Sequence, residues 1–450
     1  MSQISIIELS LVKSEKRFDA EFYKQEYLES ESKITSQKFL PLVKLTEKID
    51  VGFVGPMVHA YTENGILLLQ TRNINEFFIN LDSTISITEE FHKILKKSKV
   101  EYGDILIARS GSFGNASIYL EKEICNSSDI IIVRANEKIN PFYLVAYLNS
   151  IFGRHQLYKF ASGGLQGHVN LTILENLKVP ILSESFQKKI ECLILESKAK
   201  INDSVDKYKQ AEKTLLNELN LNDYKPEHKL SYDTKLREIL NSKRIDADYY
   251  QPKYKEIEQK IKNYRLSSKP LSEVIKIKNK NFFPVDDKEY KYIELSNISS
   301  NGNITSCTID LGKNLPSRAR RKVSKGDVII STIEGALESC AVITDEYDGV
   351  LCSTGFFVIN SKIINSETLL VLAKSIIMQN LLRRGCKGTI LTAISKDELD
   401  KIEIPLIKES IQKDISQKII ESYKQRKESK ELLEKAKKIV EDEIEKEAKK

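Results

Sequence analysis

The stretch "KRFDAEFYKQEY" (residues 16–27) returns as "KRIDADYYQPKY" at residues 243–254, and this return decides how the chain must be divided. Six of the twelve positions are identical, and Phe/Ile, Glu/Asp and Phe/Tyr exchanges fill three of the other six. An internal repeat dictates the architecture of a protein, so the extent of the duplication has to be established first.

Two further matches lie at nearly the same offset. "YGDILIARSG" (102–111) matches "KGDVIISTIEG" (325–335), and "NLKVPILSESFQKKI" (176–190) matches "DKIEIPLIKESIQKDI" (400–415). The three offsets are 227, 223 and 225 residues, and differences this small are typical of loop insertions. The sequence therefore predicts a tandem duplication of one unit, about half the chain in length.

Composition limits the class of protein. The chain has 450 residues, 41% hydrophobic and 30% charged, which fits a globular protein of two or three domains. It has no apolar run long enough to span a membrane and no secretory leader pattern, so we expect a cytoplasmic protein without membrane contact. The scattered cysteines and histidines predict no metal site. A net charge of +6 permits a nucleic-acid partner without requiring one.

Within each unit the hydrophobic pattern changes partway. Short β-branched runs such as "DILIA" and "DVIIST" are separated by Gly, Asn, Ser and Asp, which is typical of strands bounded by turns. After Pro180 and Pro405 the sequence becomes helical. The pattern predicts an α+β fold with two similar mixed α/β domains, each followed by a long helix. The predicted bounds are 1–182 and 222–407 for the domains, and 183–221 and 408–450 for the helices.

The long helices carry matching apolar seams with steps of three and four residues. We expect these residues to form a coiled-coil face: Ile190, Ile194, Ile201, Tyr208 and Leu215 in the first helix, and Ile415, Ile419, Leu433 and Val440 in the second. The other copy is the obvious partner helix. The short connection around "LNDYKP", where Pro226 prevents helix continuation, favours antiparallel pairing and a pseudo-two-fold arrangement, with the domains separated by the coiled coil. The alternative is that each helix packs only on its own domain.

Four features, in the same order in both repeats, together resemble the specificity subunits of type I restriction-modification systems. They are the duplication itself, the R-x-D-A-x-x-Y phrase, the Gly-Asp before a strand, and a proline seven residues ahead of a glutamine at the start of each long helix. The resemblance covers essentially the whole chain and depends on this order, because no single motif is specific. It implies two target-recognition domains, each reading one half of a split DNA site, and two helical spacers.

The resemblance also implies partners. Two methyltransferase subunits would dock on the chain, and ATP-dependent endonuclease subunits would join that core. The chain itself would be non-catalytic and without a cofactor, and S-adenosylmethionine, ATP and magnesium would be needed only in the partner subunits. The half-sites would lie about one turn of DNA apart or slightly more, roughly 34 to 36 Å.

A basic cluster lies ahead of the Gly-Asp in each repeat. The residues expected to contact DNA phosphates are Lys96, Lys97 and Lys99 in the first repeat, and Arg318, Arg320, Arg321 and Lys322 in the second. Closely spaced cations release condensed counterions from DNA, which supplies much of the binding affinity. The alternative is an ordinary solvated face of basic residues, but the matching positions in both repeats favour DNA.

Base reading requires side chains that can make directional contacts in the major groove. The candidates lie in polar, loop-like stretches: Gln70, Arg72, Asn73, Arg109, Ser110, Ser112, Gln166 and His168 in the first repeat, and Asn297, Lys387 and Thr389 in the second. These stretches differ between the repeats, as we expect for domains that read different half-sites. The alternative for each residue is a role in forming a turn.

The sequence supports an enzymatic function less well than DNA recognition. "NPFY" (140–143) resembles the Asn-Pro-Pro-Tyr loop of amino-group DNA methyltransferases, but it lacks the second proline and its counterpart "NSET" has nothing similar. The chain contains no P-loop motif and no recognisable nuclease carboxylate cluster. The other class that remains is a non-enzymatic coiled-coil scaffold that binds proteins and not DNA.

The opening phrase itself is expected to be structural. Arg17 and Arg244 would pair with Asp19, Asp246 or helix carboxylates, and would fix each domain where it meets the coiled coil. The alternative is that the tyrosines of the phrase line a docking surface for the methyltransferase.

Overall fold

The structure is a computed structural model that describes residues 6–81, 84–109, 113–161, 170–264, 266–388 and 392–450. The chain divides into two compact units. Unit 1 consists of residues 1–200 and 427–450, and unit 2 consists of residues 201–426. Unit 1 is therefore built from two segments that are far apart in the sequence.

Unit 1 combines two mixed sheets with several helices. Its helices are α1 (Leu9–Glu15), α2 (Gln25–Thr35), α3 (Glu89–Ile94), α4 (Pro141–Asn149), α5 (Ile151–Ala161) and α6 (Leu171–Glu175). Its strands are β1 (Phe39–Pro41), β2 (Thr46–Val51), β3 (Tyr61–Thr62), β4 (Ile66–Gln70), β5 (Phe77–Phe78), β6 (Ile85–Ile87), β7 (Lys99–Val100), β8 (Ile105–Ala108), β9 (Ala116–Ile118), β10 (Cys125–Ser128), β11 (Ile130–Ala135) and β12 (Lys178–Pro180). The long helix α7 (Glu184–Glu218) begins in unit 1 and ends in unit 2.

Unit 2 contains a similar set of helices and strands. Its helices are α8 (Leu236–Ser242), α9 (Pro252–Lys262), α10 (Leu271–Val274), α11 (Ser366–Lys374), α12 (Ile376–Gly385) and α13 (Lys396–Asp400). Its strands are β13 (Ser268–Pro270), β14 (Ile275–Ile277), β15 (Glu289–Ile293), β16 (Thr308–Leu311), β17 (Ala319–Lys322), β18 (Val328–Ser331), β19 (Cys340–Val342), β20 (Leu351–Ser353), β21 (Phe356–Ser361), β22 (Cys386–Lys387), β23 (Ala393–Ile394) and β24 (Glu403–Pro405). The long helix α14 (Glu409–Glu447) begins in unit 2 and ends in unit 1.

Most strand pairs of unit 1 recur in unit 2. The antiparallel order β2-β11-β8-β9 recurs as β14-β21-β18-β19. In the other sheet, the order β6-β4-β10-β7 recurs as β16-β15-β20-β17, and the single parallel pair, β4 with β10, recurs as β15 with β20. The predicted α+β fold and its duplication are therefore confirmed.

The Gly-Asp motif stabilises the same turn in each unit. Asp104 is fully buried, accepts a hydrogen bond from a backbone amide of its own turn, and forms an ion pair with Arg134 at 2.8 Å. Asp327 likewise accepts a turn amide and pairs with Lys278 at 2.7 Å. The glycine before each aspartate has a positive φ, which a residue with a Cβ rarely adopts.

In unit 1, α7 and α14 pack against each other in antiparallel directions. The hydroxyl oxygens of Ser197 and Ser429 lie 2.7 Å apart in the buried interface, and Lys200 forms an ion pair with Glu428. In these pairs the residue numbers along α14 fall as those along α7 rise, so the two helices run antiparallel. Ile190 and Ile194 of α7 share one buried core with the following residues of α14: Ala436, Val440 and Ile444.

The two helices are also antiparallel in unit 2. The hydroxyl oxygens of Ser204 and Ser422 lie 3.0 Å apart, and Lys207 pairs with Glu421 at 2.6 Å. Buried residues of the predicted seam lie in the core of unit 2: Tyr208, Leu215, Ile415 and Ile419. Ile201 and Leu433 are only half-buried. The predicted antiparallel coiled coil is present, and each domain core includes residues of both helices.

The repeated opening phrase forms a cation–aromatic–cation stack in each unit. In unit 1 the Arg17 guanidinium lies 4.9 Å from the centroid of the Phe22 ring, and the Lys159 ammonium lies 4.4 Å from it. In unit 2 the Tyr249 ring has Arg244 at 4.4 Å and Arg384 at 4.6 Å. Such contacts stabilise a fold by about 0.5 to 2 kcal/mol each, depending on how far the cation is desolvated.

The same phrase fixes its own conformation and leads into a helix beside the coiled coil. The expected pairs form, Arg17 with Asp19 at 2.7 Å and Arg244 with Asp246 at 2.5 Å. In unit 1 the helix that follows the phrase is α2. Lys33 of α2 forms an ion pair with Glu445, which lies near the end of α14. The structural role predicted for the phrase agrees with these contacts.

None of the helices in the described ranges has the length and apolarity needed to cross a lipid bilayer.

We predict that Arg244→Ala lowers the free energy of unfolding by about 2 kcal/mol, because it removes a charged hydrogen-bond pair and one face of the Tyr249 stack. Urea denaturation of the full chain measures this change. Arg237→Ala is the matched control, since Arg237 is an exposed arginine on the neighbouring helix α8. Equal losses in the two variants would show that the stack does not stabilise unit 2.

We predict that Ser204→Leu destabilises the chain by about 2 kcal/mol, because the helices approach too closely at this buried position to accept a larger side chain. Ser204→Ala should cost less, since the Ser422 hydroxyl still donates to the carbonyl oxygen of residue 204 at 2.7 Å. Thermal unfolding compares the two variants, with Lys209→Leu on the exposed face of α7 as the control. A neutral Ser204→Leu variant would contradict close packing at the seam.

Candidate nucleic-acid interface

The basic cluster of unit 2 lies on the edge strand of a sheet. β17 is the last strand in the order β16-β15-β20-β17 and pairs with β20. Arg318, which precedes the strand, and Lys322, at its end, are both exposed to solvent. An edge strand carries its side chains at the rim of the sheet, so these two cations can approach an external polyanion.

The two central arginines of this cluster are held by neighbouring groups. Arg321 donates to the Asn281 side-chain oxygen at 2.9 Å and to the carbonyl oxygen of Asn279. The Arg320 guanidinium lies 5.1 Å from the centroid of the Phe283 ring. Both cations are therefore positioned before any ligand binds, which lowers the entropy cost of contact.

A pocket of about 320 Å³ adjoins β17. Its lining includes aromatic rings and lysines: Phe282, Tyr290, Lys288, Lys291 and Lys322. Lys322 lies 5.8 Å from the Phe282 ring centroid. The sequence predictions did not include the aromatic residues here, because apolar residues between strands are assigned to the core by default. The signal that could have found them is the Phe-Phe-Pro run between "KNKN" and "VDD".

The basic cluster of unit 1 occupies the equivalent edge. β7 is the last strand in the order β3-β6-β4-β10-β7. Lys96 and Lys97 are exposed in the connection from α3 to β7, and Lys99 is half-buried on the strand. Burial, and then the charge of Lys99, lower the pKa of the nearby His92 imidazole, which bonds to the Asn126 side chain at 2.6 Å. His92 is therefore neutral at physiological pH and adds no charge to the cluster.

The asparagines predicted to read bases form turns in both units. Asn73 is 1% exposed, and its side-chain oxygen accepts the Gln70 amide at 2.8 Å while the Gln70 side chain accepts the Asn73 amide. Asn297 forms the same reciprocal pair with Glu294. Asn73 and Asn297 therefore form turns, which was the alternative to base contact. The buried Asn73 cannot reach a base edge in this conformation.

The remaining described candidates fall into two groups. Arg109 is paired with Asp129 at 3.1 Å, and Lys387 with Glu398 at 2.9 Å. Arg72 is exposed at the tip of the turn that Asn73 stabilises. Arg72 therefore remains the unit 1 candidate best placed for a base contact, whereas the paired residues would first have to exchange partners. The following candidates lie outside the described residues: Ser110, Ser112, Gln166, His168 and Thr389.

The "NPFY" segment is a helix N-cap. The Asn140 side-chain oxygen accepts hydrogen bonds from the amides of Phe142 and Tyr143 at the start of α4. The Asn140 amide donates to the Gln187 side chain of α7 at 2.9 Å. The counterpart Asn365 caps α11 and donates to Gln412 of α14 in the same way. The resemblance to a methyltransferase loop is therefore accounted for by capping.

These features describe a surface suited to binding an anionic partner. Exposed cations lie at an edge strand in each unit, on and beside β17 in unit 2 and in the connection before β7 in unit 1, and the shared motifs are engaged in internal bonds. Within the described ranges, no group of three or more His, Cys, Asp or Glu residues is arranged to hold a metal ion. Such a surface can bind phosphates, with aromatic rings next to them in unit 2.

Comparison with known proteins identifies the family of the chain. A family model described as the type I restriction modification DNA specificity domain matches residues 21–221 and again residues 265–437. No curated protein matches the chain. Among solved structures, the S subunit of a type I restriction-modification system from M. genitalium is 12% identical, with 91% of this chain and 95% of that chain covered and a TM-score of 0.41.

A second solved structure, the HsdS subunit from Thermoanaerobacter tengcongensis, is 15% identical, with 91% of this chain and 96% of that chain covered and a TM-score of 0.30. The family model matches each repeat separately, and the same strand order also recurs in the two units. The chain belongs to the family of type I restriction-modification DNA specificity subunits.

Proposed function

We propose that each repeat of this specificity subunit reads one half of a bipartite duplex DNA target. The paired helices would set the spacing between the half-sites and dock two methyltransferase subunits. The observation that carries the proposal is that both units place a run of cations at the equivalent edge of the equivalent sheet, on and beside β17 in unit 2, and on β7 and in the connection before it in unit 1.

Phosphate binding and base reading are assigned to different residues. Arg318 and Lys322 in unit 2, and Lys96 and Lys97 in unit 1, are exposed lysines and arginines suited to phosphates. Phosphate contacts fix the register of a protein on the duplex, whereas base contacts carry the sequence information. Arg72, at an exposed turn, is suited to a bidentate contact with guanine in the major groove.

The chemistry is proposed to reside in partner subunits. Methyltransferase subunits would bind S-adenosylmethionine, and endonuclease subunits would use ATP and magnesium. The chain would work in the cytoplasm as the non-catalytic part of this complex. A scaffold that binds only proteins is less well supported, because it gives no reason for matching cation runs at the two sheet edges.

We predict that the double variant Arg318→Ala/Lys322→Ala weakens binding of duplex DNA and lowers the slope of log K against log salt by about one to two, since each lost phosphate contact contributes about 0.9. Titration of the full chain with duplex DNA at several salt concentrations measures both quantities.

The charge-matched control is Lys362→Ala/Lys408→Ala, which removes two exposed lysines from other parts of unit 2. The control should leave the slope unchanged. An equal fall in both variants would mean that net charge, and not the β17 edge, determines binding.

We predict that cells carrying this chain with its partner subunits methylate adenines within a split, asymmetric motif. Deleting the gene should remove that methylation, which genome-wide mapping of methylated adenine detects. Methylation that persists unchanged after deletion would assign target choice to another protein. Partner assembly without any duplex binding would favour the scaffold alternative.

A further inference from the structure

Two apolar side chains beside the basic edge of unit 2 are left in solvent. Phe283 is 70% exposed and Val285 is 62% exposed, and both lie on the loop between β14 and β15. A single exposed apolar residue is ordinary, but here a phenylalanine and a valine only two residues apart on one loop are both exposed, and we call this pair an apolar patch. The position of this patch next to a cation run indicates a partner that is both anionic and apolar.

Hydrogen bonds hold the backbone of this loop on both sides of the exposed ring. The Phe282 amide donates to the carbonyl oxygen of Arg320 on β17 at 2.7 Å, and the Val285 amide donates to the Tyr290 hydroxyl at 3.1 Å. Pro284, between the two exposed residues, restricts its own φ to one narrow range. The tip is therefore rigid before binding, and ordering it costs little entropy.

The charges around the tip are mostly positive. Arg320 lies over the Phe283 ring, Lys322 lies near the Phe282 ring, and Lys280 is exposed on the same loop. Asp286 and Asp287 follow the tip, and the Asp287 carboxylate forms an ion pair with Lys313 at 3.2 Å. The surface thus presents an apolar tip flanked by cations, which is complementary to stacked bases flanked by phosphates.

Unit 1 carries a related tip at the equivalent place. Val54 is 65% and Val58 is 76% exposed, on the loop after β2, with a proline between them. The Phe53 ring on this loop packs edge-to-face on Phe91 of α3, with 5.6 Å between the ring centroids. Because α3 leads into the basic cluster, the apolar tip again adjoins the cations. The larger tip, with an aromatic ring, belongs to unit 2.

We infer that Phe283 is a wedge that inserts between two stacked base pairs of the bound duplex while Arg320 and Lys322 contact the flanking phosphates. This inference rests on the proposed function, because it requires that unit 2 binds duplex DNA. Apolar side chains that enter a base step unstack it and kink the duplex. Pyrimidine–purine steps deform most easily, so the wedge selects such a step without a hydrogen bond to any base.

The test uses the full chain, without methyltransferase subunits, and a duplex that carries the split motif found by methylation mapping. 2-Aminopurine replaces single bases in turn, and its fluorescence rises where a base becomes unstacked. We expect a rise at one step with the wild-type chain, loss of the rise with Phe283→Ala, and retention of most of it with Phe283→Leu. Affinity should fall about tenfold for Phe283→Ala with an unchanged salt slope, since no phosphate contact is lost.

Ile309→Ala is the matched control, because Ile309 is 54% exposed on β16 at the opposite edge of the same sheet. This variant should keep both the affinity and the fluorescence rise. Tight binding by the wild-type chain with no fluorescence change at any position would overturn the wedge and leave DNA reading in place. No duplex binding by the wild-type chain would overturn the proposed function and the wedge together.

Discussion

The seam between α7 and α14 is the constraint on which both units depend. Its apolar residues are not a separate zipper, because Ile190 and Val440 belong to the core of unit 1, and Leu215 and Ile415 belong to the core of unit 2. In each unit, the core that packs on the β2-β11-β8-β9 sheet or on its counterpart β14-β21-β18-β19 includes a segment of each long helix. The buried serine pairs keep the helices close and bond across the interface, which penalises a shift in register because a displaced hydroxyl would lose its partner.

The duplicated motifs and the proposed reading surfaces have different tasks. The Gly-Asp turn, the cation–aromatic–cation stack and the capping asparagines all form bonds inside their own unit. The exposed edge cations, which are Lys96, Lys97, Arg318 and Lys322, and the loop tips differ between the units and face solvent. Binding specificity can therefore change at the exposed positions at little cost in folding stability, because few internal contacts depend on them.

Sequence reasoning predicted the duplication, the α+β fold and the antiparallel helices because each leaves a pattern that occurs twice. It could not decide between a turn and a base contact for Asn73 and Asn297, since the same amide suits both roles and only its neighbours determine which one it adopts. It also could not show that Arg109 and Lys387 are paired, because Asp129 and Glu398 approach them only in the folded chain. Phe283 escaped notice because hydrophobicity alone does not distinguish a core ring from an exposed one.

The composition of unit 1 has a consequence for protein synthesis. Its core includes Ala436, Val440 and Ile444 of α14, whereas the other buried residues of that core come from before residue 200. The intervening 226 residues take about 11 to 45 s to translate at roughly 5 to 20 residues per second. During this interval the nascent domain lacks part of its hydrophobic interior, so the apolar surface that α14 later covers is exposed to chaperones and proteases. A message truncated near its end would damage the amino-terminal domain first.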